Sequence, residues 1–320
     1  MYCRRFASNA DRLAFIIKVV RNVLIGMGLP DRSSKYSNRV FDDHAKISLL
    51  VLRQYLKMSY EKFSETLGSM KGVMGSAGID RVPEQTTLRK FSARLSENVL
   101  KRVIWHTANA VCLPDIVAAV DSTGFSCSNA SGHYVKRLRE ITGKGEMGYS
   151  ETSVRGYSKT TLAVDTGSLM ILSADVCFSD IPDVKRIPNI VDDLKDAGFS
   201  ISYVVADKGY DSDDVHRCIR ENLRCGTMIP LRKMAEPARL NCSKRRTKAR
   251  GFFRGLMKLF FDPNIYKKRS MVETVNSMIK RNMSDVVHGH NDRMRCIEII
   301  CRCIAHNVMR MITFNVVEAD

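Results

Sequence analysis

Residues 262–283 read D-P-N-I-Y-K-K-R-S-M-V-E-T-V-N-S-M-I-K-R-N-M, and the interpretation of the rest of the chain depends on this stretch. Asp262 followed by Pro263 is typical of a helix start. The aspartate side chain can cap the first turn, and proline lacks only an N–H that would be unpaired there. No glycine and no further proline interrupts the stretch, so we expect one continuous helix as far as Met283.

One stripe along this predicted helix is polar, and its members are Tyr266, Arg269, Glu273 and Lys280. They share a stripe because successive residues turn by about 100° around a helix axis. The apolar residues on the opposite side, which we expect to be buried, are Met271, Val272, Val275, Met278 and Ile279. A carboxylate among cations is also an ordinary surface pairing, so the stripe indicates a function only in combination with other features.

The charge of the chain favours a polyanionic partner. Its 320 residues, enough for one large domain and a smaller one, have a formal net charge of +17. Such an excess most simply indicates nucleic acid. No window approaches the ~20 apolar residues of a membrane span, and the N-terminal stretch has the pattern of an amphipathic helix, not of a signal peptide. We therefore expect a cytoplasmic, nucleoid-associated protein without a membrane partner.

The N-terminal third is predicted to be helical. Residues 45–57 and 60–67 have helical periodicity, and a third helix begins at about residue 83. Residues 68–78 contain four glycines and are predicted to form a loop. Short helices with a basic last member favour a helix-turn-helix DNA reader, although a helical bundle with a solvated basic face fits equally well. We assign residues 1–115 to a DNA-end-binding region.

The remaining residues, 116–320, have an alternating pattern. Short apolar runs predict strands, and two of these runs end at a carboxylate, at Asp121 and at Asp207. Asp121 is followed by small residues that suggest a turn. The predicted order is β-β-β-α-β-α-β-α-α, which indicates an α/β fold with a mixed sheet flanked by helices. Two carboxylates thus end strands, and Glu273 projects from a late helix.

A strongly basic segment lies between the last predicted strand and the helix of residues 262–283. Residues 231–258 contain ten lysines and arginines and one acid. A charge run of this kind can be a solvated loop, or it can bind phosphates and set the salt dependence of DNA binding. The residues predicted to contact DNA there are Lys244, Arg245, Arg246, Lys248 and Arg250.

Three carboxylates in this order suit phosphodiester chemistry. Phosphoryl transfer requires in-line positioning and neutralisation of charge, which two Mg²⁺ ions can provide. Mg²⁺ needs only a few carboxylate oxygens from the protein. We predict that Asp121, Asp207 and Glu273 are both the catalytic residues and the metal ligands. The residues predicted to bind flanking phosphates are Tyr266, Arg269 and Lys280.

These motifs resemble those of a known family. The pattern Y-x2-R-x3-E-x6-K fits the polar stripe without a gap. The family's two aspartate blocks are similar to A-A-V-D-S-T-G-F (118–125) and V-V-A-D-K-G-Y-D-S (204–212) of this chain. I-A-H-N-V-M-R-M (304–311) is similar to the family's C-terminal helix. From about residue 116 to 312, the chain therefore resembles a DDE transposase of an insertion sequence, in the group with a Tyr-Arg-Glu-Lys signature.

The resemblance implies a ribonuclease H-like catalytic core that uses Mg²⁺, with Mn²⁺ able to substitute. It implies strand cleavage and strand transfer at terminal inverted repeats, integration into target DNA, and a homodimer or higher oligomer on DNA. A ribonuclease H-like nuclease or resolvase that does not transpose needs the same three carboxylates. A DNA-binding derivative that has lost catalysis and acts as a regulator is a further alternative. The basic segment and the N-terminal helices favour the transposase, because they suit the binding of specific DNA ends.

Overall fold

The structure is a computed structural model that describes residues 8–32, 40–127, 156–178, 181–232 and 251–314. The helices, numbered in chain order, are α1 (Asn9–Gly26), α2 (Asp43–Tyr55), α3 (Tyr60–Leu67), α4 (Lys71–Ala77), α5 (Gln85–Ser92), α6 (Glu97–Asn109), α7 (Ile187–Asp196), α8 (Asp213–Leu223), α9 (Phe252–Phe260), α10 (Pro263–Lys267), α11 (Ser270–Met283) and α12 (Asp292–Thr313). The strands are β1 (Ile116–Cys127), β2 (Gly156–Asp165), β3 (Ile171–Cys177), β4 (Ile201–Ala206), β5 (Gly226–Met228) and β6 (Val286–Val287).

The strands form one mixed sheet in the order β3-β2-β1-β4-β5, with β6 on the far end of β1. The meander β1-β2-β3 is antiparallel, whereas β4 and β6 are parallel to β1, and β5 is parallel to β4. This arrangement confirms the predicted fold class, a mixed α/β sheet flanked by helices and preceded by a helical region. It is consistent with a ribonuclease H-like architecture.

The sheet separates two hydrophobic cores, because side chains alternate between its faces. On β1, Ala118 and Val120 face a core that α7 and α8 cover. Ala119, Phe125 and Cys127 face the other core, which contains apolar residues of α1–α6, α11 and α12. The N-terminal helices and the C-terminal helix therefore lie on the same side of the sheet.

The N-terminal helices are joined to α12 by buried polar contacts as well as by apolar packing. Arg53 Nη2 on α2 lies 3.1 Å from Glu298 Oε1 on α12. Arg302 Nε on α12 donates to Gln54 Oε1 on α2 at 3.0 Å. All four residues are buried. The predicted N-terminal region and the sheet region share one interior, and the functional division at residue 115 stays a prediction.

Three local predictions were wrong. The helix predicted across residues 262–283 is two helices, α10 and α11, joined by a tighter turn in which Arg269 N donates to Tyr266 O and Val272 N to Arg269 O. The predicted glycine loop contains α4, because Val73 and Ala77 bury their side chains.

The third wrong prediction concerns the strand at the first aspartate. The strand does not end at Asp121, because β2 pairs with β1 along its length, from Ala118 opposite Asp165 to Cys127 opposite Gly156. Asp121 lies within the strand.

Candidate active site

Asp121 and Asp207 follow the point at which the parallel pairing between β1 and β4 ends. The last pairing between β1 and β4 joins Val120 to Ala206, so Asp121 and Asp207 are the next residues on adjacent strands. Ala119 and Val205, two residues earlier on each strand, both face the core that contains α11. Because side chains alternate along a strand, both aspartates are directed to the side of the sheet on which α11 packs.

Glu273 approaches this point from α11. The helix is anchored by Val272, Val275 and Ile279, which are fully buried in the core against β1. Glu273 lies on the outer side of the helix, where 53% of its side chain is exposed, and its Oε1 is 2.7 Å from Nη2 of Arg269. The pairing of Arg269 with Glu273 within the predicted polar stripe is therefore present.

The three carboxylates are electrostatic neighbours. Burial is the main cause of the raised pKa of Asp121, and the negative charges of Glu273 and Asp207 raise it further. The backbone N–H of Ser122 and the guanidinium of Arg269 act in the opposite direction. The proton affinity of Asp121 is thus increased by both other members of the predicted set, and a nearby cation favours its charged form.

The residues fit a divalent metal in their chemistry, because carboxylate oxygens are the ligands that Mg²⁺ and Mn²⁺ take, and mutual repulsion of carboxylates is relieved by a cation. Within the residues that the structure describes, however, no group of three or more His, Cys, Asp and Glu side chains is close enough to hold a metal ion. A shared ion would require Glu273 to turn from Arg269 towards the two aspartates. Its half-exposed position leaves room for that rotation.

The family model of the transposase DDE domain matches residues 113–308, a range that contains Asp121, Asp207 and Glu273. The chain belongs to this family. No curated protein matches it. Membership makes polynucleotidyl transfer the general class of its activity and DNA its partner, and DDE transposases generally use divalent metal ions. In the described part of the chain, no helix is long and apolar enough to cross a membrane.

A hydrogen-bonded bridge ties together the two aspartate segments of this DDE domain. Asp207 begins a tight turn in which Tyr210 N donates to its carbonyl at 2.9 Å. The Tyr210 hydroxyl lies 3.0 Å from Ser122 Oγ, which is 2.9 Å from Thr161 Oγ1 on β2. Burial raises the pKa of Tyr210, so its phenol stays protonated and available as a donor. Tyr210 belongs to the sequence motif of residues 204–212, whereas no sequence pattern indicated a supporting role for Ser122 or Thr161.

The second aspartate segment of the DDE domain also holds α9. Asp211, whose side chain is fully buried, accepts hydrogen bonds from Arg254 Nε at 2.8 Å and from the Arg232 backbone N–H at 2.7 Å. Asp213 accepts from the backbone N–H groups of Phe253 and Arg254. The sequence suggested either Asp211 or Ser212 as the cap of the following helix, and Ser212 occupies the cap position of α8. Asp211 instead anchors residues on both sides of the stretch 233–250.

The other residues predicted to contact DNA are Tyr266, Lys280 and five residues of the basic segment, and their DNA-binding role stays a prediction. The Tyr266 ring packs against Phe261, with 5.4 Å between ring centroids. Lys280 Nζ lies 5.7 Å from the centre of the Phe125 ring on β1. Lys280 therefore contacts an aromatic ring on the same strand as Asp121. The predicted contacts in the basic segment that lie outside the described residues are Lys244, Arg245, Arg246, Lys248 and Arg250.

Proposed function

We propose that the chain binds the terminal inverted repeats of its own insertion sequence and catalyses Mg²⁺-dependent strand cleavage and strand transfer. One observation supports this most directly. Asp121 and Asp207 are the first residues beyond the last β1–β4 pairing, and α11 brings Glu273 to the same face of the sheet. Asp121 and Asp207 of this transposase family member thus follow two adjacent strands, and Glu273 lies on a helix that packs on the same side of the sheet.

In this proposal Asp121, Asp207 and Glu273 hold the metal. A divalent ion held by these carboxylates would supply charge neutralisation for the transferring phosphoryl group and activation of the attacking oxygen. Arg269 has a second role, because its guanidinium can donate to a phosphate oxygen once Glu273 turns towards the aspartates. The bridge through Tyr210 keeps the two strand segments in register, which preserves the in-line geometry that the reaction requires.

Binding of the DNA ends falls to residues 1–115 and to the basic segment 231–258. In α5, Leu88 and Phe91 are buried, which fixes the helix to the core. Arg89 and Lys90 are exposed and available to bind phosphates. Joining an element to target DNA requires two ends to be held together, which favours a homodimer or higher oligomer on DNA. The site of action is the nucleoid in the cytoplasm.

The test uses purified protein and duplexes that carry the repeats flanking its gene. Cleavage and joining are measured with Mg²⁺, Mn²⁺ or EDTA, beside Asp207→Ala and Glu273→Gln. Asp196→Asn, at an exposed position on α7, is the control for loss of one acid elsewhere. We expect metal-dependent cleavage at the repeat ends, followed by joining, which both site variants abolish and the control retains.

Two other outcomes would replace the proposal. Metal-dependent cleavage that is never followed by joining would indicate a nuclease or resolvase. Tight binding of repeat ends without cleavage in either metal would indicate a DNA-binding derivative that acts as a regulator. Equal binding of repeat ends and unrelated duplexes would contradict the assignment of end recognition.

A further inference from the structure

Helix α11 ends in an unusual conformation. Ser284, the residue that follows its last turn, has φ 84° and ψ 150°. This region is populated almost only by glycine, because other side chains collide with the backbone there. A serine persists in it only where its surroundings hold the chain in place. The end of the helix that contains Glu273 and Lys280 is therefore held by contacts from outside the helix.

Arg302 supplies those contacts. This residue of α12 is buried, and its guanidinium donates in three directions. Nη1 donates to the Ser284 carbonyl at 2.9 Å, Nη2 to the Val286 carbonyl at 2.7 Å, and Nε to Gln54 Oε1 at 3.0 Å. One planar group thus connects the end of α11, strand β6 and helix α2.

The turn after α11 is also joined to β1. Ser126 pairs with Val286 in the sheet, and its backbone N–H donates to the Asp285 carbonyl at 2.9 Å. Two cations lie near the Phe125 ring, with Arg302 Cζ at 5.8 Å and Lys280 Nζ at 5.7 Å from its centre. The strand that contains Asp121 and the helix that contains Glu273 are therefore fastened to each other at this turn.

Arg302 forms no ion pair within 4 Å in the described part of the chain. The negative charge of Glu298 favours the charged form of Arg302, but the Glu298 carboxylate is bound by Arg53 at 3.1 Å and accepts the His288 backbone N–H at 2.8 Å. Burial of a charged group is costly unless its donors are hydrogen-bonded, and the buried guanidinium of Arg302 meets this condition through its three contacts. The hydrogen bonds of the Arg302 guanidinium go to the carbonyls of the turn and to Gln54.

We propose that Arg302 is a positioning residue. It fixes the C-terminal end of α11 against β1 and α2, and it thereby holds Glu273 and Lys280 in register with Asp121. The catalytic part of this inference depends on the proposed transposase function, whereas the structural part does not. The test therefore combines a cleavage assay with a measurement that needs no activity.

The main variant is Arg302→Met, and the control is Asn307→Ala on the same helix. Asn307 is also buried and bridges elements, but its hydrogen-bond partners are the backbone of Ile171, the Thr107 hydroxyl and the Ile104 carbonyl, none of them on α11. Amide hydrogen exchange is followed in the whole 320-residue chain. We expect Arg302→Met to accelerate exchange at least tenfold in α11 and β6, and Asn307→Ala to accelerate it in β3 while α11 stays as in the wild type.

Single-turnover cleavage of repeat-end duplexes provides the second measurement. We expect Arg302→Met to reduce the rate at least tenfold while affinity for the ends stays within twofold. Adding Ser284→Gly relieves the strain at the turn, so we expect it to return the melting temperature towards the wild-type value without restoring cleavage. If Arg302→Met does not fold, Arg302→Lys replaces it in every comparison, because a lysine cannot form the three hydrogen bonds of the guanidinium.

Two results would overturn the proposal: unchanged exchange in α11, or cleavage that recovers together with the melting temperature in the double variant. The second would show that Arg302 contributes stability alone. If the wild-type protein cleaves no repeat-end duplex, the proposed function fails. The exchange comparison with Asn307→Ala then still decides whether Arg302 positions α11.

Discussion

Replacement of Arg269 by glutamine should separate function from stability. Its guanidinium is 2.7 Å from Glu273, one helical turn along, and 23% of the Arg269 side chain and 53% of the Glu273 side chain are exposed. Ion pairs at this degree of exposure contribute only ~0.3–0.5 kcal/mol to folding. Arg269→Gln should therefore lower the free energy of unfolding by no more than about 0.5 kcal/mol.

The effect on cleavage should be much larger. A hydrogen bond between a charged group and its partner contributes ~1.5–3 kcal/mol, so loss of a phosphate contact by Arg269 should reduce the cleavage rate roughly tenfold to 150-fold. Arg269 also favours the charged form of Asp121. Without it, the pKa of Asp121 rises further, and the acidic side of the pH–rate profile should move to higher pH.

Three measurements check this prediction: urea unfolding, single-turnover cleavage, and the pH dependence of the cleavage rate. Arg217→Gln is the matched control, because Arg217 forms a similar exposed pair with Asp213 at 3.2 Å on α8. The control should lose as little stability and retain cleavage. Cleavage by Arg269→Gln within twofold of wild type would refute a phosphate-binding role, and an unmoved acidic limb would refute the electrostatic link to Asp121.

Three other perturbations test the electrostatics and the hydrogen bonds of the interior. Burial raises the pKa of Asp121 above its usual value of 3.8, so the wild type loses stability as pH rises from 3.8 through the raised pKa of the folded state. Asp121→Asn should therefore be more stable than the wild type at neutral pH and lose this advantage below about pH 3.8. A variant that is less stable than the wild type at neutral pH would contradict this. Burial lowers the pKa of His306 from 6.5 to about 4, so the free energy of unfolding of the wild type should be highest above pH 6.5 and fall by about 3 kcal/mol as pH drops to 4. His306→Gln should reduce this pH dependence. Stability curves of wild type and variant that run parallel against pH would argue against the prediction. Tyr210→Phe should cost ~0.5–1.5 kcal/mol in urea unfolding and be non-additive with Ser122→Ala, whereas strict additivity would exclude their hydrogen bond.

Elements with a strong local pattern were predictable from the sequence. The apolar run at residues 201–206 corresponds to β4, and Ser59 caps α3 by accepting the Lys62 backbone N–H at 3.2 Å. The same local rules misjudged α4, because glycine disfavours a helix by ~1 kcal/mol per residue and burial of Val73 and Ala77 outweighs that preference. At Asp121, pairing with β2 outweighed the small residues that suggested a turn.

The candidate site was predictable in its carboxylates but not in its supports. The order of strand-end aspartates and a late helical glutamate suggested Asp121, Asp207 and Glu273, and the parallel register of β1 and β4 places the two aspartates side by side. The bridge from Tyr210 to Ser122 spans 88 positions and depends on side-chain directions that no local pattern encodes. The break before α11 contains neither glycine nor proline, so composition gave no sign of it.

The shared interior of α2 and α12 has a consequence for the order of events during translation. Arg53 and Glu298 are 245 positions apart, and Gln54 and Arg302 are 248 apart. At ~5–20 residues per second, a ribosome takes about 12–50 s to reach the second member of each pair after making the first. Throughout that interval the nascent N-terminal helices lack their counterpart in α12. Their mature packing can form only after α12 has been translated, and a message cut short before α12 would yield helices without this interior.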